Sequence, residues 1–383
     1  MTAKENARKE TALHAEHAKL GASFTDFGGW DMPLKYQSEL AEHHAVRQSA
    51  GLFDLSHMGE IWVRGPQAAA FLDYALVGNL SAIAVGKAKY SLICTPEGGI
   101  IDDLISYRRA EDTYLVVPNA GNADAVYAAF VERAEGFYVE LDNVSAQTAL
   151  IALQGPESER VLLMLVPAEQ ANAVRELKYY AATEVTVAGL PVLLARTGYT
   201  GEDGFELYLD NTEAAQLWNA LLTGDEAVTP CGLASRDSLR LEAAMPLYGN
   251  ELGLEENPFE AGLGPVVSLP PAKTAKESDF VGKEALAKIK ADRAHGGKHG
   301  QRVLVGLRGE GRRAARGHYP VLFHGETVGE VTSGQPSPTL GYPVALAYVS
   351  VEHSEPGTEL EVDLRGKAEP FTVVALPFYK RTV

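Results

Sequence analysis

Cysteine is nearly absent: Cys94 and Cys231 are the only two. They lie far apart, fit no metal-ligand spacing and cannot form a disulfide framework, which points to a reducing compartment. Positive charge is also scarce. The 34 Lys and Arg stand against 51 Asp and Glu, a formal net charge of −17, so nucleic acid is a poor expectation in the absence of a segregated basic surface. No stretch approaches the roughly 18 uninterrupted apolar residues of a membrane helix. The N-terminus, MTAKENARKETALHAEHAKL, lacks an apolar core before a small-residue cleavage site, and its acids argue against a transit peptide. A cytoplasmic protein is expected. Signature loops are missing too: no GxGxxG follows a strand, HGGKHG lacks the phosphate-loop spacing, and there is no GxSxG or HExxH. Dinucleotide and nucleoside-triphosphate enzymes therefore find no support.

What is present is ordinary for a globular chain, 46% hydrophobic and 22% charged. At 383 residues it exceeds what one core usually organises, so two or three domains are expected. Helical spacing over 11–20 gives way to a Gly- and aromatic-rich loop around Trp30 and resumes over 38–49. Ile61 and Val63 share a strand face that Gly65-Pro66 ends, and 67–74 reads as a helix. Strands over 90–94, 100–107 and 114–117, separated by TPEGG and RRAEDT, spell a β-meander. An amphipathic helix over 122–134 follows, with Asn122 or Asp124 near its N-cap. Strands are expected at 148–154, 185–187, 192–196 and 205–209, with helices at 157–165, 214–222 and 234–242. From Lys283 to Arg316 the local charge is +7, HGGKHG reads as a linker, and beyond Gln301 short strands between Gly, Pro and His-Gly turns predict a small all-β domain. No period of 20 to 50 residues marks a solenoid.

Three segments carry candidate chemistry. In GGIIDDLISYR, strand alternation puts Asp103 on a face with Ile101, Ile105 and Tyr107 and turns Asp102 away, so the two are not expected to act as a carboxylate pair. If the meander pairs, Asn119 approaches Asp103 and Tyr107, bringing an acid, a phenol and an amide together; the alternative is that both acids polarise a turn. In RTGYTGEDGFEL the glycines permit close approach of a ligand, flanked by Tyr199 and Glu206, although a polar hairpin turn reads as well. The oxygen-ligand spacing of a Ca²⁺ loop is missing there. In GLASRDSLRLEA, Arg236 and Arg240 share a helix face, and an inward Arg suits a ligand carboxylate. His57 stands alone and is given no role.

Taken in order, GGWDMPLKY, DLSHMGEI, KYSLICTPEGGIIDDL, ALQGP, RTGYTGEDGFEL, ASRDSLRLEAAMPLYG, FVGKEAL and TSGQPSPTLG resemble the aminomethyltransferases, or T-proteins, of the glycine cleavage system. The resemblance runs from about Thr11 to the final PFYKR. It implies an α+β, three-domain cloverleaf around a central folate cavity: 1–52 with 146–248, 53–145 with 249–282, and a C-terminal β-barrel with its basic linker over 283–383. It also implies the reaction, in which the aminomethyl group on the lipoyl arm of H-protein passes to the co-substrate tetrahydrofolate. The products are ammonia, 5,10-methylenetetrahydrofolate and dihydrolipoyl protein, and no metal, nucleic acid or membrane is involved.

By motif position the essential acid falls on Asp103. The folate contacts fall on Tyr90, Tyr107, Asn119, Tyr179, Tyr199, Glu206 and Arg236, with Lys380 or Arg381 as a C-terminal basic contact between which the sequence does not choose. One departure is Pro265 in PFEAGLGPVV, where some relatives carry an aromatic residue. Two other readings rank lower. Folate-dependent demethylase units usually follow a flavin-binding half whose Gly-rich motif is missing here. A folate-binding protein of iron–sulfur assembly carries a cysteine in a KGCYxGQE-like string, and ENPFEAGLG has none.

Overall fold

The computed structural model describes residues 8–271, 273, 275–295 and 301–382. The expected linker HGGKHG falls largely on 296–300, outside the described residues. The chain divides into two units. The first takes the residues up to Ile61 together with Asn143–Asp237, and the second takes Trp62–Asp142 together with the residues from Ser238 onward.

In the first unit a six-stranded sheet runs in the order Ala182–Val187, Leu190–Ala195, Gly204–Asp210, Thr148–Gln154, Ala50–Asp54 and Val228–Pro230. Only the last pairing is parallel. One face buries Leu52, Ile151, Leu153, Leu194 and Phe205, and helix Ala214–Gly224 lays Leu217, Trp218 and Leu221 against them. Burying side chains of this size contributes about 1.5–3 kcal/mol each. Helix Glu39–Gln48 starts where the Ser38 hydroxyl accepts from the Ala41 N–H. The segment around Trp30, expected as a loop, is a hairpin of Ser23–Phe27 with Trp30–Lys35. Gly28 and Gly29 both have positive φ, 60° and 86°, as a two-residue turn between twisted strands requires. The glycines that suggested a loop are the turn of a ladder whose partner strand lies only a few residues away.

In the second unit a five-stranded sheet has the order Ala88–Cys94, Ile100–Ala110, Thr113–Pro118, Ile61–Arg64 and Glu140–Asn143. Its first three strands form the expected antiparallel meander, with Leu92 opposite Asp103 and Leu104 opposite Pro118. Leu92, Cys94, Ile100, Val267 and Phe280 form a core, and helix Lys283–His295 adds Leu286 to it, with Ile289 packed alongside. The same unit holds a closed six-stranded barrel in the order Arg302–Gly309, Pro343–Ser350, Glu326–Pro336, Pro320–Phe323, Glu359–Asp363 and Ala368–Val374. Inward residues such as Leu307, Val331, Ala347 and Phe371 fill it, and closure leaves no unpaired sheet edge. The α+β class with a C-terminal β-barrel is therefore observed.

Candidate active site

Strand Ile100–Ala110 lies between two neighbours. Ile100, Asp102, Leu104 and Ser106 are buried, while Ile101, Asp103 and Ile105 are half-buried. This is the predicted alternation, and it puts Asp102 and Asp103 on opposite faces. It does not keep their carboxylates independent, because one side-chain amide reaches both. Thr113–Pro118 ends opposite Leu104, so the next residue, Asn119, arrives beside the two acids. Its Nδ2 donates to Asp102 Oδ1 at 2.9 Å and lies 2.8 Å from Asp103 Oδ1 and 3.0 Å from the Asp103 carbonyl oxygen. Its backbone N–H donates to Asp102 Oδ2 at 2.9 Å. Three acceptors around Nδ2 also fix the amide orientation, directing Oδ1 away from the acids.

A phenol joins this cluster from Tyr90, whose hydroxyl donates to Asp103 Oδ2 at 3.0 Å. Tyr107 pairs opposite Ala88 and is wholly buried. Asn122 precedes helix Ala123–Arg133, as the N-cap reading required, but makes no side-chain cap. Its Nδ2 instead donates to Asp102 Oδ1 at 2.7 Å. Burial pushes Asp102 up to about 7, and the Asp103 charge adds to the shift against the Asn122 and Asn119 donors. Burial also raises Asp103, against the hydrogen bonds from Tyr90 and Asn119. Tyr248, given no role from the sequence, donates to the Ile100 carbonyl at 3.2 Å, and its hydroxyl is raised first by burial and then by the Asp102 charge.

A second set of candidates lies in the first unit. Helix Leu233–Glu242 starts after Gly232, whose N–H donates to Glu42 Oε2 at 2.9 Å. A Cβ on Gly232 would meet the Leu34 carbonyl at 2.3 Å, so only glycine fits where the helix begins. One turn on, the Arg236 guanidinium stands 4.8 Å from the centre of the Tyr199 ring, a cation–π distance. On strand Gly204–Asp210, Glu206 accepts from the Thr197 hydroxyl at 2.5 Å. Tyr179 is 52% exposed, its ring 4.8 Å from that of Tyr180.

His57 belongs with this set. It is 2% exposed, edge-on to Phe27 at 5.5 Å, and its Nδ1 has no hydrogen-bond partner among the described residues. Burial, then the Arg236 charge, pushes its pKa down to about 4, so the ring is neutral at pH 7. A lone histidine gave no sequence signal, because the arginine beside it comes from 179 positions further along the chain. In the second unit, Arg240 turns inward to Glu251 at 2.9 Å. Lys380 is exposed, Arg381 half-buried with Nη1 shielded from solvent, and Pro265 exposed in the short turn Gly264–Val266. Among the described residues no three His, Cys, Asp or Glu side chains cluster so as to hold a metal ion, and no helix is long and apolar enough to cross a membrane.

An acid held by a phenol and an amide can take a proton from an amine or stabilise a cation beside it. Comparison with known proteins identifies the chemistry. The GCVT N-terminal domain family matches residues 13–270, and the glycine cleavage T-protein C-terminal barrel domain matches residues 302–380. The chain belongs to the glycine cleavage T-protein family. It is 57% identical to an aminomethyltransferase of Streptomyces avermitilis over 379 residues, 98% of this chain and 99% of that one. With the aminomethyltransferase of Symbiobacterium thermophilum it shares 47% identity, over 97% of both chains. The crystal structure of glycine cleavage system aminomethyltransferase T from Bartonella henselae superposes with a TM-score of 0.87 at 38% identity, covering 97% of this chain and 98% of that one. The activity of this T-protein family member is aminomethyl transfer in glycine cleavage, with folate as a substrate.

Proposed function

We propose that the chain takes its aminomethyl carbon from the lipoyl arm of H-protein, passes it to tetrahydrofolate, and uses Asp103 as the catalytic acid–base group. The observation that carries the assignment of Asp103 is its carboxylate held between the Tyr90 hydroxyl and the Asn119 amide on a half-buried strand face. Two donors fix the acid's orientation, and burial raises its proton affinity toward the range useful for a base at neutral pH. Asn119, its amide hydrogens committed to carboxylates, keeps Oδ1 to accept from a pterin N–H.

The bond changes balance without an external oxidant or reductant. The C–N bond of the aminomethyl group breaks as ammonia leaves, a folate amine forms a new C–N bond to the resulting cationic carbon, and the C–S bond to the lipoyl arm breaks as the second folate amine closes the methylene bridge. Asp103 orients the attacking amine, stabilises the cation and accepts the first amine's proton, and the second amine's proton ends on the released lipoyl thiolate. Correct placement contributes more than base strength, since effective molarities exceed what general-base catalysis adds. Arg236 is the proposed partner of the folate glutamate carboxylate, its fork supported by the Tyr199 ring. Glu206, oriented by Thr197, is the proposed partner of the pterin edge, while Tyr107, Tyr179 and Tyr199 remain proposed contacts from motif position. Of the C-terminal pair we favour Arg381, whose half-buried guanidinium contrasts with the exposed Lys380.

The test mixes the chain with aminomethylated H-protein and tetrahydrofolate and measures methylenetetrahydrofolate and ammonia. Equimolar formation of both, abolished without H-protein, is expected. Turnover that is independent of either H-protein or folate overturns the reading.

A further inference from the structure

Asp102 is not among the residues to which motif position gives a role, yet it is the better-tethered acid of the two. It accepts from the Asn119 backbone N–H at 2.9 Å, the Asn119 side-chain amide at 2.9 Å and the Asn122 side-chain amide at 2.7 Å. The Asn119 amide is the only one of these donors that also reaches the Asp103 carboxylate, at 2.8 Å. Asn122 occupies the N-cap position of helix Ala123–Arg133 without capping it. A side chain diverted from that role, which typically contributes about 1 kcal/mol, is compensated by its bond to a buried carboxylate.

We propose that Asp102 is a positioning residue for Asp103, acting through the shared Asn119 amide and held in place by Asn122. This rests on the role proposed above for Asp103. Two carboxylates within reach of one nitrogen in a buried setting do not both ionise freely, so they titrate as a pair that holds one proton over part of the pH range. The upward shift of both acids agrees with this geometry. The groups facing the pair are Tyr90 from strand Ala88–Cys94, Asn119 and Asn122 from the segment after Thr113–Pro118, the N-terminal end of helix Ala123–Arg133, and Tyr248, which also faces Glu256. Among the described residues, the leading influences on the proton affinity of both acids are burial, hydrogen bonds and, for Asp102, the Asp103 charge. Asp102 therefore does two things for its neighbour. It aims the Asn119 amide at Asp103, and it takes the proton the pair shares, favoured there by the Asp103 charge, so that Asp103 is the ionised member that can receive a proton from an amine.

Carboxyl-carbon NMR of the folded, full-length chain without folate or H-protein reads the coupling directly, and the pH profile of kcat and of KM for folate reads its consequence. In Asp102→Asn the Asp103 carboxyl signal should lose the second, higher-pH step that it takes from its neighbour's titration and follow a single step. The kcat profile should lose the same step. Turnover should drop roughly tenfold while KM for folate stays within about twofold, the split expected of an orienting group. Asn122→Ala serves if Asp102→Asn folds poorly. With one donor lost, the shared proton stays on Asp102 to higher pH, and the second step in the Asp103 signal moves up with it. An Asp103 titration unchanged in both variants overturns the proposal, as does an Asp102→Asn chain with wild-type kcat at every pH. If the titration changes but the wild-type chain forms no methylenetetrahydrofolate, the coupling stands and the reading of Asp103 as catalytic is what fails.

Discussion

Tyr90 donates its hydroxyl to Asp103 Oδ2 across 3.0 Å, from a strand position that faces Ile105 rather than the acid itself. The long phenol spans the diagonal of the antiparallel pair, so acid and ring are held by one ladder. Asp103→Asn keeps the shape and most hydrogen-bonding capacity but cannot accept a proton. Turnover should fall by about 10²–10⁴, the range general acid–base groups supply, with folate affinity, followed by fluorescence titration, changed less than about threefold. Tyr90→Phe removes a donor that lowers the proton affinity of Asp103, so the acid limb of its kcat profile should move to higher pH. A downward shift would contradict the assigned bond.

Arg236 presents a planar fork beside the Tyr199 ring at 4.8 Å. Losing a bidentate partner for a carboxylate should weaken folate binding roughly 10- to 100-fold in Arg236→Ala, with kcat at saturating folate nearly unchanged. Arg236→Lys should recover only part of this, because an ammonium offers a point charge in place of a fork. Isothermal titration with mono- and polyglutamylated folate checks it; equal affinity in wild type and Arg236→Ala would remove the residue from the site.

The meander around Asp103 was legible because period-two alternation is a local signal, and TPEGG and RRAEDT mark where each strand turns back. The convergence of Asp102, Asn119 and Asn122 was not, since it depends on how the chain leaves Pro118 and enters a helix within a few residues. Asn122 shows the limit well: the sequence places it at the helix start, yet its amide goes to an acid twenty positions away. His57 was given no role and Tyr248 was not singled out for the same reason, their environments being assembled from distant segments. The register that sets Tyr107 opposite Ala88, and its full burial, were likewise not readable from spacing.

Glu60 is buried, and neither of its carboxyl oxygens has a hydrogen-bond partner among the described residues. Burial raises its pKa well above the ordinary value of 4.5. The folded chain therefore holds a proton on Glu60 that the unfolded chain releases above about pH 4.5. Between that pH and the folded-state pKa the unfolded state binds fewer protons, so this group makes stability fall as pH rises. Glu60→Gln removes the titration while keeping the shape. Its melting temperature relative to wild type should rise between pH 5 and pH 8. A difference that stays constant across this range would show that Glu60 is charged in the fold.

Arg240 and Glu251, each almost fully buried, pair at 2.9 Å, and Ser333 bridges them, donating to Glu251 Oε1 at 2.5 Å while accepting from Arg240 Nη2 at 2.8 Å. Glu251 Oε2 also accepts from the Leu247 N–H at 2.9 Å. Because Ser333 lies on barrel strand Glu326–Pro336, the network ties that strand to the end of helix Leu233–Glu242 and the loop after it. Arg240→Met should destabilise by about 3–5 kcal/mol, since it strands a buried carboxylate. Adding Glu251→Gln should recover a measurable part of that loss in urea denaturation. A double variant as unstable as the sum of the singles would mean that the two side chains do not interact.

Helix Lys283–His295 carries much of the basic stretch, and its cations are largely occupied at home. Lys283 donates to the Glu277 and Ser278 carbonyls at 3.2 and 3.0 Å, Lys290 to Pro270 at 2.9 Å, and Arg293 to the Arg302 carbonyl at 3.2 Å. These bonds orient the ammonium and guanidinium groups without removing them from solvent, so their field would act on an acidic carrier within about one Debye length. Such a field acts chiefly on encounter. Reversing charge at Lys288, Lys290 and Arg293 should lower kcat/KM for aminomethylated H-protein several-fold at low salt. At about 0.5 M salt, where the screening length shrinks to a few ångströms, the difference should vanish. Because Lys288 is exposed and Lys290 and Arg293 are only half-buried, the melting temperature should shift by no more than a few degrees, which separates lost encounter from lost folding. Unchanged carrier-dependent turnover at low salt would leave this helix with no part in recruiting the carrier.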